Sequence, residues 1–247
     1  MTAKDAGHGK GGTPETVGIV GAGIVGLAVA RQLAAAGVAV KVFEKEDAVA
    51  VHQTGHNSGV VHAGIYYAPG SAKARMTRRG VSLLRAYCAD RGLAYDERGK
   101  LVVARNEAET VKLRELERRS QVNGVPGIRW LSGAGLRELE PEVAGVAALL
   151  SPTTAIVDYR AITQSFGRDL TGSGGELHLG TAVTGVRRVS EDRVEIDTPS
   201  GAHRLSRLVI CAGLQADLLA AAAGDSRAPE IVPFRGEYLR LRPRAAD

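Results

Sequence analysis

Apolar residues change period several times along the chain. Residues 16–20 are a short apolar run, residues 24–36 carry apolar positions at helical spacing among alanines, and residues 38–43 alternate as Val-Ala-Val-Lys-Val-Phe. Gly21 marks a tight turn between the first two and Gly37 a helix stop, so the pattern predicts a strand, a helix and a parallel strand. Residues 71–92 read as a helix with an apolar face of Met76, Val81, Leu83, Leu84 and Tyr87. A strand falls within residues 95–105, and residues 106–123 form a charged helix with a narrow stripe at Leu113 and Leu116. A strand at 128–131, a short helix at 132–138 and a turn at 140–142 follow. From residue 154 the first pattern returns: a helix at 158–170, strands at 176–179 and 182–189, a hairpin of 193–198 with 203–205, and an apolar strand at 207–212 that ends at Gly213.

Two segments of one type flanking a more polar insertion predict an α/β chain, α+β overall, in which a Rossmann-like cofactor domain is interrupted by a mixed-sheet substrate domain. The expected cofactor domain is 15–90 with 150–222, and the expected substrate domain 91–149 with 223–247. Residues 1–14, rich in Gly, Lys, Ala and Thr, read as a flexible tail without the apolar region of a signal peptide.

Composition narrows the class. With 247 residues, 44% of them hydrophobic, the chain can bury a sizeable core, which excludes a disordered protein. A net charge of +5 is spread through the chain with no basic stripe among aromatics, so no nucleic-acid partner is expected. Two cysteines, Cys88 and Cys211, are too few for a disulfide framework and point to a reducing cytoplasm. Residues 17–40 are nearly all apolar, but their five glycines divide them into pieces too short to span a bilayer.

Gly21-Ala-Gly23-Ile-Val-Gly26 lies directly between a strand and a helix. In that setting Gly21 permits the turn, Gly23 lets a pyrophosphate approach the backbone, and Gly26 lets the helix pack on the strands. Glu44, at the end of the second strand with Lys45 beside it, is placed to accept from adenosine ribose hydroxyls, and an acid there disfavours a 2′-phosphate. Both FAD and NAD use this fingerprint. The break in βα repetition after residue 44 favours FAD, and residues 207–213 resemble the late strand of two-domain flavoproteins, which implies a second turn at Ala212 and Gly213 near the phosphates.

Residues 52–67, His-Gln-Thr-Gly-His-Asn-Ser-Gly-Val-Val-His-Ala-Gly-Ile-Tyr-Tyr, hold three of the six histidines and have no helical or strand period. Following directly on the nucleotide-binding start, they read as a loop of reactive side chains delivered towards the cofactor. A neutral imidazole suits removal of a hydroxyl proton, which makes His56 and His62 candidate bases. A zinc site at His52, His56 and His62 has no acidic or thiolate ligand nearby in sequence, and no metal is expected.

Together these features resemble the D-amino-acid-oxidase-type FAD-dependent oxidoreductases. The histidine loop, with Pro69, Ser71, Lys73 and Ala74 after it, and Val232-Pro-Phe-Arg-Gly-Glu-Tyr238 resemble the L-2-hydroxyglutarate oxidase/dehydrogenase family. The resemblance implies oxidation of L-2-hydroxyglutarate to 2-oxoglutarate by hydride transfer to FAD, with electrons passing to oxygen or a quinone. Glycerol 3-phosphate or an amino acid as substrate, and a catalytically incomplete FAD-binding module, are the alternatives.

The resemblance further implies that His62 faces substrate and His56 lies nearer the flavin. Thr54, Asn57, Ser58, Gly59 and Val183 are candidate FAD contacts. A dicarboxylate needs cations: Arg235, on an expected strand of the substrate domain, is the first choice, with Lys73 and Arg75 behind it and Tyr66 and Tyr238 as hydroxyl donors. Lys100 reads as a solvated surface charge. Relative to that family the chain is expected to be the N-terminal portion of a longer protein. The expected location is the cytoplasm, with peripheral attachment to the inner face of a membrane left open.

Overall fold

The computed structural model describes residues 15–226 and 228–237. In chain order the elements are β1 (Thr16–Val20), α1 (Ile24–Ala35), β2 (Ala39–Phe43), β3 (Val60–Val61), α2 (Ala72–Arg91), β4 (Lys100–Ala104), α3 (Glu107–Val122), β5 (Arg129–Ser132) and α4 (Gly133–Leu139). There follow β6 (Ala147–Ser151), β7 (Ala155–Ile156), α5 (Tyr159–Gly172), β8 (Glu176–His178), β9 (Gly185–Ser190), β10 (Arg193–Thr198), β11 (Gly201–Leu205), β12 (Arg207–Ile210) and α6 (Ala216–Ala222). They divide into two compact units, one made of the described residues up to Gln53 and from Phe166 onward, the other of Thr54–Ser165.

The first unit is built on a parallel sheet of order β12-β1-β2-β8. The apolar run of β1 is buried from Val17 onward because strands flank it on both sides, the arrangement that makes parallel strands read as continuous hydrophobic runs. A separate antiparallel sheet, β11-β10-β9, encloses Phe43, Val186, Ile196 and Leu205. The predicted hairpin is β10–β11, and Gly201 in its turn has φ +122°, a conformation that side chains resist.

In the second unit, β4-β6-β5 form an antiparallel sheet and β3 pairs with β7. Its core joins Ala63 and Ile65 of the histidine loop to Leu113 and Leu149. Complete burial of a leucine such as Leu149 contributes roughly 1.5–3 kcal/mol. The central strand β6, Ala-Ala-Leu-Leu-Ser, is absent from the sequence expectation. All five of its residues are buried, so it has no in/out alternation to reveal it.

Helix boundaries follow their caps. Ser71 accepts from the Ala74 amide and Gly92 closes α2 in the left-handed region, while Asn106 and Ser132 cap α3 and α4. The expected apolar face of α2 is corrected. Met76 and Leu83 are 72% and 59% exposed, whereas Val81, Leu84 and Tyr87 are half-buried as expected, beside the fully buried small residues Ala74 and Cys88.

The compact units also cut the chain differently from the expected domains. Residues 54–90 and 150–165 group with 91–149, because β3 pairs with β7, Asp96 bridges Ile156, and the Tyr87 hydroxyl donates to Ser165 at 2.8 Å. Residues 228–237 group instead with the parallel-sheet unit, where the Ile231 amide donates to Asp217 on α6 at 3.2 Å. No strand forms over 230–237, because no ladder partner meets this segment among the described residues.

Candidate active site: a glycine cradle and a histidine recess

In the first unit the turn after β1 is held from three sides. Gly21 donates to the Phe43 carbonyl at 2.8 Å, Ala22 donates to Glu44 Oε2 at 2.7 Å, and Ala50 donates to the Ala22 carbonyl at 3.2 Å. Gly21 has φ +102°, and a Cβ there would lie 2.5 Å from the Cys211 carbonyl oxygen. A Cβ on Gly26 would run into the carbonyl oxygen of Gly21. The predicted reasons for two of the three glycines are therefore visible as atoms. Gly23 is the N-cap of α1; it offers no side-chain cap, and the first turn contains no acid. A helix start with no cap and no acid, behind a bare backbone turn, suits a pyrophosphate, so the residues present fit a dinucleotide.

Glu44 is nearly buried, and besides Ala22 it accepts from the Glu46 amide at 3.1 Å. Its first task is thus to brace the cradle; a carboxylate with about four acceptor sites keeps capacity for ribose hydroxyls. Lys45 is engaged with Glu46, and His52 Nε2 lies 2.8 Å from the same carboxylate. The Lys45 bond, then the His52 bond, hold the Glu46 carboxyl below its usual range. Ala212 reaches the cradle, its Cα 3.6 Å from the position of a Gly21 Cβ, and Gly213 follows it in the left-handed region with φ +56°. Val183 packs on the Phe43 cluster. Ala50, with φ +62°, is a left-handed alanine that composition gave no means of finding.

In the second unit the histidine loop is an ordered structure. Asn57 donates to the Thr54 carbonyl at 2.6 Å and accepts from the Gly59 amide at 2.7 Å, a side-chain-closed turn. Gly59 has φ +69°, and a Cβ there would lie 2.8 Å from the Val157 carbonyl oxygen. Thr54, Asn57 and Gly59 are thus tied into their own loop, and Ser58 is exposed beside them.

Further on, His62, Ala63, Gly64, Ile65, Tyr66 and Tyr67 line a recess with Lys100 and Thr154. His56 is exposed and is not part of that lining. His62 is exposed as well, but partial desolvation of its ring at the recess, and secondarily the Lys100 charge, lower its pKa from the usual 6.5, which favours the neutral, proton-accepting form.

Three residues that the sequence reading passed over fix this loop. Arg78 donates to the Ala63 carbonyl at 3.2 Å, Arg119 to Tyr66 at 3.4 Å, and Asn123 Nδ2 to both Gly64 and Tyr67 at 3.1 and 3.0 Å. Asn123 reads in sequence as an ordinary helix end, which hid its second role. Asn123→Ala is expected to lower stability by about 1–3 kcal/mol by orphaning two carbonyls; thermal unfolding measures it, and an unchanged midpoint would contradict the assignment.

Of the remaining substrate candidates in this unit, neither Lys73 nor Arg75 is part of the recess lining. Lys73 and Arg75 are exposed on α2, with Arg75 bonded to the Gly70 carbonyl. Arg235 is exposed in the other unit, and Tyr238 lies outside the described residues. Lys100 is the reverse case, since it lines the recess instead of being a fully solvated charge.

A parallel sheet whose glycine turn, bare helix start and acid-braced second strand fit a dinucleotide is a Rossmann-like nucleotide-binding fold. The chain belongs to the FAD dependent oxidoreductase family, which matches residues 16–247. It is 41% identical over 238 residues to human mitochondrial L-2-hydroxyglutarate dehydrogenase, covering 91% of this chain and 51% of that protein. It is 39% identical over 227 residues to L-2-hydroxyglutarate dehydrogenase of Escherichia coli K12, covering 91% and 54%. The chain therefore spans about half the length of the curated relatives it matches. Among solved structures, an FAD-bound L-alpha-glycerophosphate oxidase from Mycoplasma pneumoniae superposes with a TM-score of 0.80 at 27% identity, over 85% of this chain and 57% of that one. Glycine oxidase from Geobacillus kaustophilus shares the fold, with a TM-score of 0.77 at 23% identity, over 85% and 59%. No helix among the described residues is long and apolar enough to cross a membrane.

Proposed function

We propose that this chain is part of an FAD-dependent enzyme that oxidises L-2-hydroxyglutarate to 2-oxoglutarate. The observation that carries the reading is the recess in which His62, its pKa lowered, shares a wall with a lysine, in a chain about 40% identical to proteins named for that substrate. Gly21, Gly23, Gly26, Glu44, Ala212 and Gly213 would hold the dinucleotide, with Lys45, Thr54, Asn57, Ser58, Gly59 and Val183 as further candidates. FAD, when bound, supplies a two-electron acceptor for the hydrogen on Cα.

The residues of the chain supply the proton chemistry. His62 accepts the hydroxyl proton of the substrate as the C–O bond becomes a carbonyl, so one proton, and one hydrogen with its electron pair, leave the hydroxy acid. His62 needs no prior deprotonation at neutral pH, because its conjugate acid is already disfavoured. Tyr66, which lines the recess, is the proposed hydroxyl donor to substrate; Lys73, Arg75, Arg235 and Tyr238 remain candidates for its anionic groups. Oxygen or a membrane quinone is the proposed terminal acceptor, the quinone through peripheral attachment.

Substrate choice is tested by product analysis. The flavin-loaded protein should form 2-oxoglutarate from L-2-hydroxyglutarate and leave glycerol 3-phosphate and L-amino acids unchanged. Turnover of either alternative, with none of the hydroxy acid, would reject the assignment.

A further inference from the structure

Lys100 opens β4, and its backbone is fixed there by pairing opposite Ser151 of β6. The preceding Gly99 has φ +77° and donates to the Thr154 carbonyl at 2.9 Å, so the strand enters beside another wall of the recess. The ammonium sits 4.7 Å from the centre of the Tyr66 ring, a cation–π contact with the loop that carries His62. Half-buried as it is, Lys100 pairs with no carboxylate among the described residues. The neighbouring cations are engaged elsewhere: Arg98 bonds Asp96 at 2.6 Å, and Arg78 and Arg119 bond loop carbonyls.

The recess thus presents a positive charge beside a neutral imidazole, with tyrosines and no acid on its walls. A partly desolvated ammonium without a counter-ion favours any anion that enters, and it is directed by stacking rather than fixed by an ion pair. The effect of Lys100 on His62 agrees with close electrostatic contact between the two groups.

We propose that Lys100 is a substrate-binding residue that receives a carboxylate of the dicarboxylate at the open mouth of the His62 recess. This deepens the hydroxy-acid reading and rests on it. Loading the recess with a carboxylate then removes the positive charge that opposes protonation of His62, so binding and base strength rise together.

Glutarate tests the contact apart from the chemistry, because it has both carboxylates and no hydroxyl to oxidise. Calorimetric titration of the FAD-loaded chain should show glutarate binding that weakens about 10-fold or more in Lys100→Met and is largely restored in Lys100→Arg. Thermal melts confirm that each variant is folded. Wild-type affinity in Lys100→Met, or no glutarate binding by the parent, would overturn the assignment. If glutarate binding depends on Lys100 but L-2-hydroxyglutarate yields no 2-oxoglutarate, the carboxylate site stands and the proposed reaction falls.

Discussion

Gly26→Ala should purify almost free of flavin. The added methyl group would occupy the space of the Gly21 carbonyl oxygen, and that oxygen belongs to a turn already held by Phe43, Glu44 and Ala50. The clash cannot be relieved at a flexible side-chain end, since a Cβ is held rigidly by its own backbone and the atom it meets is a backbone carbonyl oxygen. Either α1 moves off β1 or the turn twists, and both displace the amides that would face the pyrophosphate. Overpacking of this kind costs about 1–3 kcal/mol in stability. The loss in affinity should be larger, because the cradle itself is deformed, and flavin absorbance per mole of protein is expected to fall by about 10-fold or more. A variant with parental flavin content would show that the glycine turn does not hold the cofactor.

His62→Ala is the second large effect, and it should leave flavin content intact while turnover of L-2-hydroxyglutarate falls by about 10²-fold or more. The companion His56→Ala should lose less, because His56 lies outside the recess lining. The acid limb of kcat/KM supplies an independent check. A base acts when unprotonated, and partial desolvation with Lys100 nearby lowers the His62 pKa, so activity should persist below the ordinary 6.5 and be lost only as pH falls through the lowered value. An acid limb above 6.5, or wild-type turnover in His62→Ala, would remove His62 from the mechanism.

The geometry of the glycine cradle was legible in the sequence. The β1-α1-β2 start could be read because a buried parallel strand, a glycine turn and a helix each leave a distinct local pattern, and Gly21 and Gly26 behave as their spacing predicts. The histidine loop stood out through its lack of any period. What escaped the sequence was set by partners distant in the chain. Strand β6 has no alternation because every residue is enclosed. Met76 and Leu83 looked like core and are exposed, because α2 buries Ala74 and Cys88 and only half-buries Val81, Leu84 and Tyr87. Lys100 looked solvated because nothing in Gly-Lys-Leu-Val-Val announces that Tyr66 will lie against it. Arg235, chosen for its residue type, has no strand beneath it, and Asn123 hid a loop-holding role behind an ordinary helix cap.

The central claim is that a flavin held by this chain takes electrons from L-2-hydroxyglutarate, and anaerobic visible spectroscopy of the FAD-loaded protein tests it most directly. On adding L-2-hydroxyglutarate, the oxidised-flavin bands should bleach, and an equal concentration of the D-enantiomer should leave them unchanged. A flavin that stays fully oxidised in the presence of the L-acid would contradict the account.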